Sequence, residues 1–243
     1  MDRLLFTAVS GASRSLSQQE IHANNLANVN TQGFRSDLDK ALTQQVSGEG
    51  YASRYLAQPT QGGVDLAPGA VRETGRDLDI AVKGDGLIAL RSGPREVYTR
   101  NGQIDVNADG ELSVSGLPLE GDNGPIVLPP FSSVSIAEDG VITIVPEDGD
   151  IAAPMEVDRV KLVNIPASQL SKNDAGFLVS NAAFTPRDED VTVAAGHLEA
   201  ANVSAIGEMV SSIALNRQFE AQIKMMKAAE DLATAGNRLI RGT

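Results

Sequence analysis

The sequence predicts an α+β protein: long helices at the two ends, paired with each other or with neighbouring copies, and a β-rich region between them. Three observations carry this. Residues 1–30 and about 203–240 show helical apolar periodicity. All eleven prolines lie between those stretches, from Pro59 to Pro186. The middle carries short alternating runs punctuated by Asp-Gly and Gly-rich turns. A lone amphipathic helix cannot hide its apolar stripe, so each end needs a helical partner.

In the N-terminal helix, Leu5, Val9, Ala12, Leu16, Gln19, Ala23 and Leu26 alternate spacings of four and three, the pattern of a coiled-coil seam. Alanines and a glutamine make it a weak seam. The helix is expected to end near Asn28–Gly33, where Gly33 suits a left-handed cap. Residues 36–71, rich in Gln, Ser, Gly and Ala, read as an extended connector. The strand signals begin with Leu78, Ile80 and Val82 and continue past Gly84-Asp85-Gly86 into Leu87–Leu90, read as a hairpin. Further strands are expected at Val97–Thr99, Ile104–Val106, Leu112–Val114, Val160–Val163 and Phe177–Val179, and Val134–Ala137 and Val141–Val145 flank Asp139-Gly140, another hairpin signal. Residues 72–185 are therefore assigned to a compact β domain, and 186–198 to a return connector.

The closing segment, 199–243, carries the second long helix. Asn202 or Ser204 can cap it, with Glu208 in the first turns. Ile206, Met209, Ile213, Phe219, Ile223, Met226, Ala229 and Ala233 mark one face, with a one-residue drift in spacing around Asn216. Weak seams at both ends suggest that they order only on assembly.

The formal charge is −12, and it sits entirely between the helices: residues 41–197 hold 11 basic and 23 acidic side chains, whereas the two ends are balanced. No basic stripe exists to neutralise phosphates, which argues against nucleic-acid binding. With no cysteine, disulfides and thiolate metal sites are excluded. No apolar run approaches the roughly 18 residues of a membrane-spanning helix, so no membrane insertion is expected. The opening apolar run, Leu4 to Val9, is too short for a cleavable signal, and export would need another route.

Catalytic and metal motifs are incomplete. Asp105-Val106-Asn107-Ala108-Asp109-Gly110 matches the start of a calcium loop, but the position for the bidentate acid is Gly116. Asp77 and Asp79 could pair as acid and base, yet nothing beside them suggests a nucleophile. His22 and His197 belong to no metal motif, and Gly84-Asp85-Gly86 lacks the third glycine of a dinucleotide loop. The sequence therefore predicts no enzyme, no cofactor and no metal site.

The most distinctive string is Ala23-Asn24-Asn25-Leu26-Ala27-Asn28-Val29-Asn30-Thr31-Gln32-Gly33-Phe34-Arg35. It resembles the ANNLANxxTxGF signature of the flagellar axial proteins, the rod and hook subunits. Leu78–Gly86 resembles that family's LDxAIxGDG segment, Tyr98–Gly102 its YTRNG segment, and Leu198–Val203 its LExSNV segment. Phe219–Lys224 resembles its closing helix, and Met1–Ala12 is most like the proximal rod members of the basal-body rod family.

The resemblance covers both ends and the middle in the family's order. It implies an inner tube domain of paired terminal helices with a β domain outside it. It also implies export through the flagellar type III apparatus, location in the basal-body rod segment that crosses the periplasm, and a torque-transmitting structural role beside copies of itself and other proximal and distal rod subunits. The subunit interface is expected at Leu5, Val9, Ala12, Leu16, Ala23, Leu26, Gly33, Phe34, Ile206, Met209, Ile213, Phe219, Ile223 and Met226, with Asn24, Asn25 and Asn28 setting register. Two other readings are a distal rod or hook subunit of the same family, and a secreted ligand-binding β domain on a coiled-coil stalk. A third is an acidic hydrolase built on Asp77 and Asp79.

Overall fold

A computed structural model describes residues 2–45, 55–147, 154–182 and 184–242. They fall into two compact units. One comprises residues 1–27, 37–62 and 204–243; the other comprises 28–36 and 63–203.

The helical unit is built on α1 (Asp2–Ala27) and α2 (Ala205–Arg241), of 26 and 37 residues. At ~1.5 Å per residue they run about 39 and 55 Å. Ser204 starts α2: its side chain accepts from the Gly207 N–H, and Glu208 sits in the first turn, where a negative charge favours the helix dipole. The helices lie antiparallel. His22 meets Glu208 near one end, and Gly11 meets Gln222 further along.

The buried face of α1 is Ala8, Ala12 and Ser15, with Gly11 between them. On α2 the buried residues are Leu215, Gln222 and Ala229, one heptad apart, with Phe219, Met226 and Ala233 half-buried on the same stripe. Ala12, Phe219, Met226, Ala229 and Ala233 of the expected faces lie on this seam, but other expected positions do not. Val9 and Leu16 are exposed, as are Ile206 (76%), Met209 (51%) and Ile213 (54%). The apparent drift near Asn216 has a physical cause: α2 carries two stripes. Ile206 and Leu215 are nine residues apart, about half a turn out of phase, so they occupy opposite faces. Within one chain the Leu215–Gln222–Ala229 stripe of α2 meets the small side chains of α1, which permit close approach.

The stretch expected as a connector, 36–71, contains a two-stranded ribbon, Asp37–Gln45 with Tyr55–Val64. Its first strand is held on α1. Arg14 and Gln18 both donate to Asp39, at 3.1 and 2.7 Å. An isolated ribbon is marginal in water, and these anchors supply what it lacks.

The β unit is antiparallel throughout. A five-stranded sheet has the order Leu162–Asn164, Gly86–Ser92, Arg95–Thr99, Leu178–Ser180, Leu170–Lys172. Phe131–Ile136, Val141–Pro146 and Met155–Arg159 form a three-stranded sheet around the Asp139-Gly140 turn, the hairpin the sequence predicts there. Asp105–Val106, Leu112–Val114 and Leu117–Pro118 form another. Ile88, Leu90, Ile104, Leu112, Leu119, Ile126, Ile142 and Ile144 are fully buried at the centre.

Two expectations are corrected here. Ile80–Lys83 does not pair with the strand after Gly84-Asp85-Gly86; it pairs with Thr192–Ala195. The strand Gly86–Ser92 instead pairs with Arg95–Thr99. Both strands are buried on both faces, so alternation could not reveal their partners. The return segment is likewise no loose connector: Thr192–Ala195 and His197–Glu199 are strands, the latter pairing with Val71–Glu73.

Candidate assembly interface

The helical unit leaves large apolar side chains outside. On α2 these are Ile206, Met209, Val210 and Ile213, spaced as one helix face, then Ile223, Met225, Leu232 and Leu239. On α1 they are Phe6, Val9 and Leu16. Large apolar side chains turned to water at helical spacing, as at Ile206, Met209, Val210 and Ile213, are the mark of an interaction surface. Of the residues expected at an interface, Val9, Leu16, Ala23, Ile206, Met209, Ile213 and Ile223 lie on exposed faces. Leu5, Leu26, Phe219 and Met226 are half-buried, and Ala12 is buried in the intrachain pair.

The asparagine string divides between tasks. Asn24 is exposed. Asn25 is buried, and its amide serves the chain's own backbone: the Asp37 N–H donates to its Oδ1 at 2.9 Å, while its Nδ2 donates to the Asp37 carbonyl at 3.2 Å. Both bonds pin the start of the ribbon to α1. Asn28 closes a turn, accepting from the Thr31 N–H and hydroxyl at 3.0 and 3.1 Å. Gly33 and Phe34 are not on the outer surface; they lie inside the β unit. A Cβ on Gly33 would come within 2.1 Å of the Asn101 nitrogen, and its φ of +66° suits glycine.

The β unit holds a polar cluster that the sequence analysis did not anticipate. Arg35, Arg100 and Glu199 have side chains only 1% exposed. Glu199 Oε1 accepts from Arg35 Nη2 at 2.5 Å and from the Gly69 N–H at 2.7 Å; Oε2 accepts from Arg100 Nη1 at 3.2 Å. Arg100 also donates to the Val82 and Gly84 carbonyls. Burial, and then the neighbouring Arg35 charge, pull the Arg100 guanidinium below its usual range, while Glu199 opposes that shift. Asn202 completes the arrangement. Its Oδ1 accepts from the Ser36 N–H at 2.8 Å, and its Nδ2 donates to the Asp65 and Ala67 carbonyls.

The effect is a clasp. The Gly33 N–H donates to the Glu199 carbonyl at 2.7 Å, and the Asn202 N–H to the Phe34 carbonyl at 3.3 Å. Residues 33–36 and 199–202, far apart in sequence, are thereby locked side by side in the β unit. Each of the three charged residues falls inside one of the quoted strings, Arg35 after Phe34, Arg100 after Tyr98-Thr99 and Glu199 after Leu198, but nothing local in those strings marks them as partners.

The weaker chemical motifs resolve as structure. Asn107 Oδ1 accepts from the Asp109 and Glu111 N–H groups, so the calcium-like loop is a hydrogen-bonded turn. Asp79 is buried and takes bonds from Thr74 and Arg76, while Asp77 is exposed, so the two do not share a site. Among the described residues no group of His, Asp and Glu could hold a metal ion, and no helix is long and apolar enough to cross a membrane.

A helical pair with a second apolar face, joined in one chain to a closed β unit, defines a structural subunit of a larger assembly. Comparison with known proteins gives the family. Residues 5–35 match the family model described as flagella basal body rod protein. Residues 81–144 match the flagellar hook protein FlgE/F/G D1 domain, and residues 194–239 the flagellar basal body rod FlgEFG protein C-terminal model. The chain is 36% identical over 248 residues to the flagellar basal-body rod protein FlgF of Escherichia coli (strain K12), covering 99% of each. It is 33% identical to the FlgF of Salmonella typhimurium, again over 99% of each. It is 27% identical to the flagellar basal-body rod protein FlgG of Bacillus subtilis, over 96% of this chain and 97% of that one. The chain belongs to the flagellar basal-body rod protein family, a structural and non-enzymatic family.

Proposed function

We propose that this chain builds the proximal part of the rod, packing against copies of itself and against other rod subunits through the outer faces of α1 and α2. The observation that supports this most directly is the second stripe of α2. Ile206, Met209, Val210 and Ile213 lie opposite the residues that α1 covers. Burying each fully is worth roughly 1.5–3 kcal/mol, before the cost of ordering the partners. Contacts repeated head to tail, without closing on themselves, produce an open helical assembly. Its stiffness comes from many modest helix–helix contacts acting together. In this reading the chain reaches the periplasm through the flagellar type III apparatus, and the finished rod carries torque from motor to hook.

The test contrasts two neighbours on α2. Ile213→Asp places a charge on the exposed stripe; the subunit should be missing from isolated basal bodies while the full chain keeps its β-unit NMR dispersion. Leu215→Asp strikes the intrachain seam and should disturb the α1–α2 pair itself. Normal incorporation of Ile213→Asp would remove the outer face from the interface.

A further inference from the structure

We propose that Gly11 and Gln222 set the axial register of α1 against α2. The problem they solve is visible in the seam. Ala8, Ala12 and Ser15 give α1 a shallow surface of small side chains, over which a partner helix could slip by a heptad at little hydrophobic cost. Gly11 is the single glycine of α1, and a mid-helix glycine costs about 1 kcal/mol relative to alanine. The Gln222 amide occupies the space a side chain at 11 would take: a Cβ there would sit 2.8 Å from Gln222 Nε2 and 3.1 Å from its Cδ, so even alanine would make the amide shift and a larger side chain would displace it. The missing side chain is the hole, and Gln222 is the knob that fills it.

Gln222 is only 8% exposed, and its Oε1 has no hydrogen-bond partner. A leucine would pack there without leaving a buried acceptor unmet. A buried amide at one seam position is a device that specifies register at the expense of stability. Slipping α2 by seven residues toward the C-terminal end of α1 would bring Gln222 against Gln18, where no glycine makes room. The same slip would shift Ile206–Ile213 by about 10 Å along α1, breaking up the surface described under the proposed function. The consequence for assembly rests on that proposal; the register itself does not.

The chain has no cysteine, so a His22→Cys/Glu208→Cys pair provides the only thiols at a place where the helices touch. Cross-linking of the purified full chain by a short thiol-reactive linker then reads register within one chain, independent of incorporation into a rod. The parent pair should cross-link efficiently. Adding Gly11→Leu should lower the yield at least several-fold, and adding Gln222→Ala to that variant, which exchanges knob and hole, should restore it. β-unit NMR dispersion checks that each variant is otherwise folded. An unchanged yield with Gly11→Leu overturns the proposal. So does a knob–hole exchange that fails to restore cross-linking, or a parent chain that does not cross-link.

Discussion

Glu199 and Arg35 lie 164 positions apart in the chain and meet at 2.5 Å in the interior of the β unit. Arg100 shares the same carboxylate, so one negative charge answers two guanidiniums in a site sealed from water. Breaking such a cluster by removing one partner is far more damaging than replacing it whole, because the remaining charges stay buried. Glu199→Gln should therefore destabilise the β unit by roughly 3–5 kcal/mol. Glu138→Gln, which removes only the exposed partner of Lys83, should change stability by less than about 1 kcal/mol. Urea unfolding followed by near-UV signals checks both, and equal effects would show that the cluster contributes nothing special.

Gly33→Ala probes the other half of the clasp. The positive φ alone costs a residue with a Cβ about 1–2 kcal/mol, and backbone atoms of Arg100 and Asn101 leave the new methyl no space. The variant should unfold at clearly lower urea concentration. Gly116→Ala makes the control: its φ is also positive, at +80°, but nothing lies within 4 Å of a Cβ there. It should lose only the conformational part.

Asn25→Ala removes the acceptor that holds the Asp37 N–H and the donor to the Asp37 carbonyl. Losing a buried partner costs roughly 1–3 kcal/mol, so amide exchange at Asp37 should accelerate by about tenfold to a hundredfold. Exchange in the Gly86–Ser92 strand should not change. Equal acceleration in both places would mean that Asn25 supports global stability and not the ribbon's start.

Alkaline pH should act on Tyr98. Burial, aided by the nearby Glu96 charge, pushes its hydroxyl up, and its hydrogen bond with Thr185 opposes that shift. The folded state thus favours the protonated phenol. Its contribution is complete below the unfolded value of about 10 and is lost as pH rises from there through the higher folded value. Thermal unfolding of the β unit should fall off more steeply above about pH 10 in the parent chain than in Tyr98→Phe. Identical pH profiles would remove Tyr98 from the account.

Much was legible without coordinates. Helical periodicity, the confinement of proline to the middle and the Asp-Gly turns depend on neighbours within a few residues, which is why α1, α2 and the Asp139-Gly140 hairpin could be read directly. The family strings were legible too, although their chemistry was not. Asn25 and Gly33 looked like interface residues because their string is polar and distinctive, yet they hold the chain to itself.

What the tertiary structure alone decided was pairing. Two apolar stripes on α2 look like one drifting stripe until α1 covers Leu215, Gln222 and Ala229 and leaves Ile206 and Ile213 outside. The partner of Ile80–Lys83 was hidden because a strand buried on both faces has no alternation to betray its neighbour. The meeting of Arg35, Arg100 and Glu199 joins residues too distant for any local pattern to link. Local backbone preference acts over a turn or a strand and is written in adjacent residues; which surfaces meet is settled by packing across the whole chain, where shape and buried charge must be satisfied together.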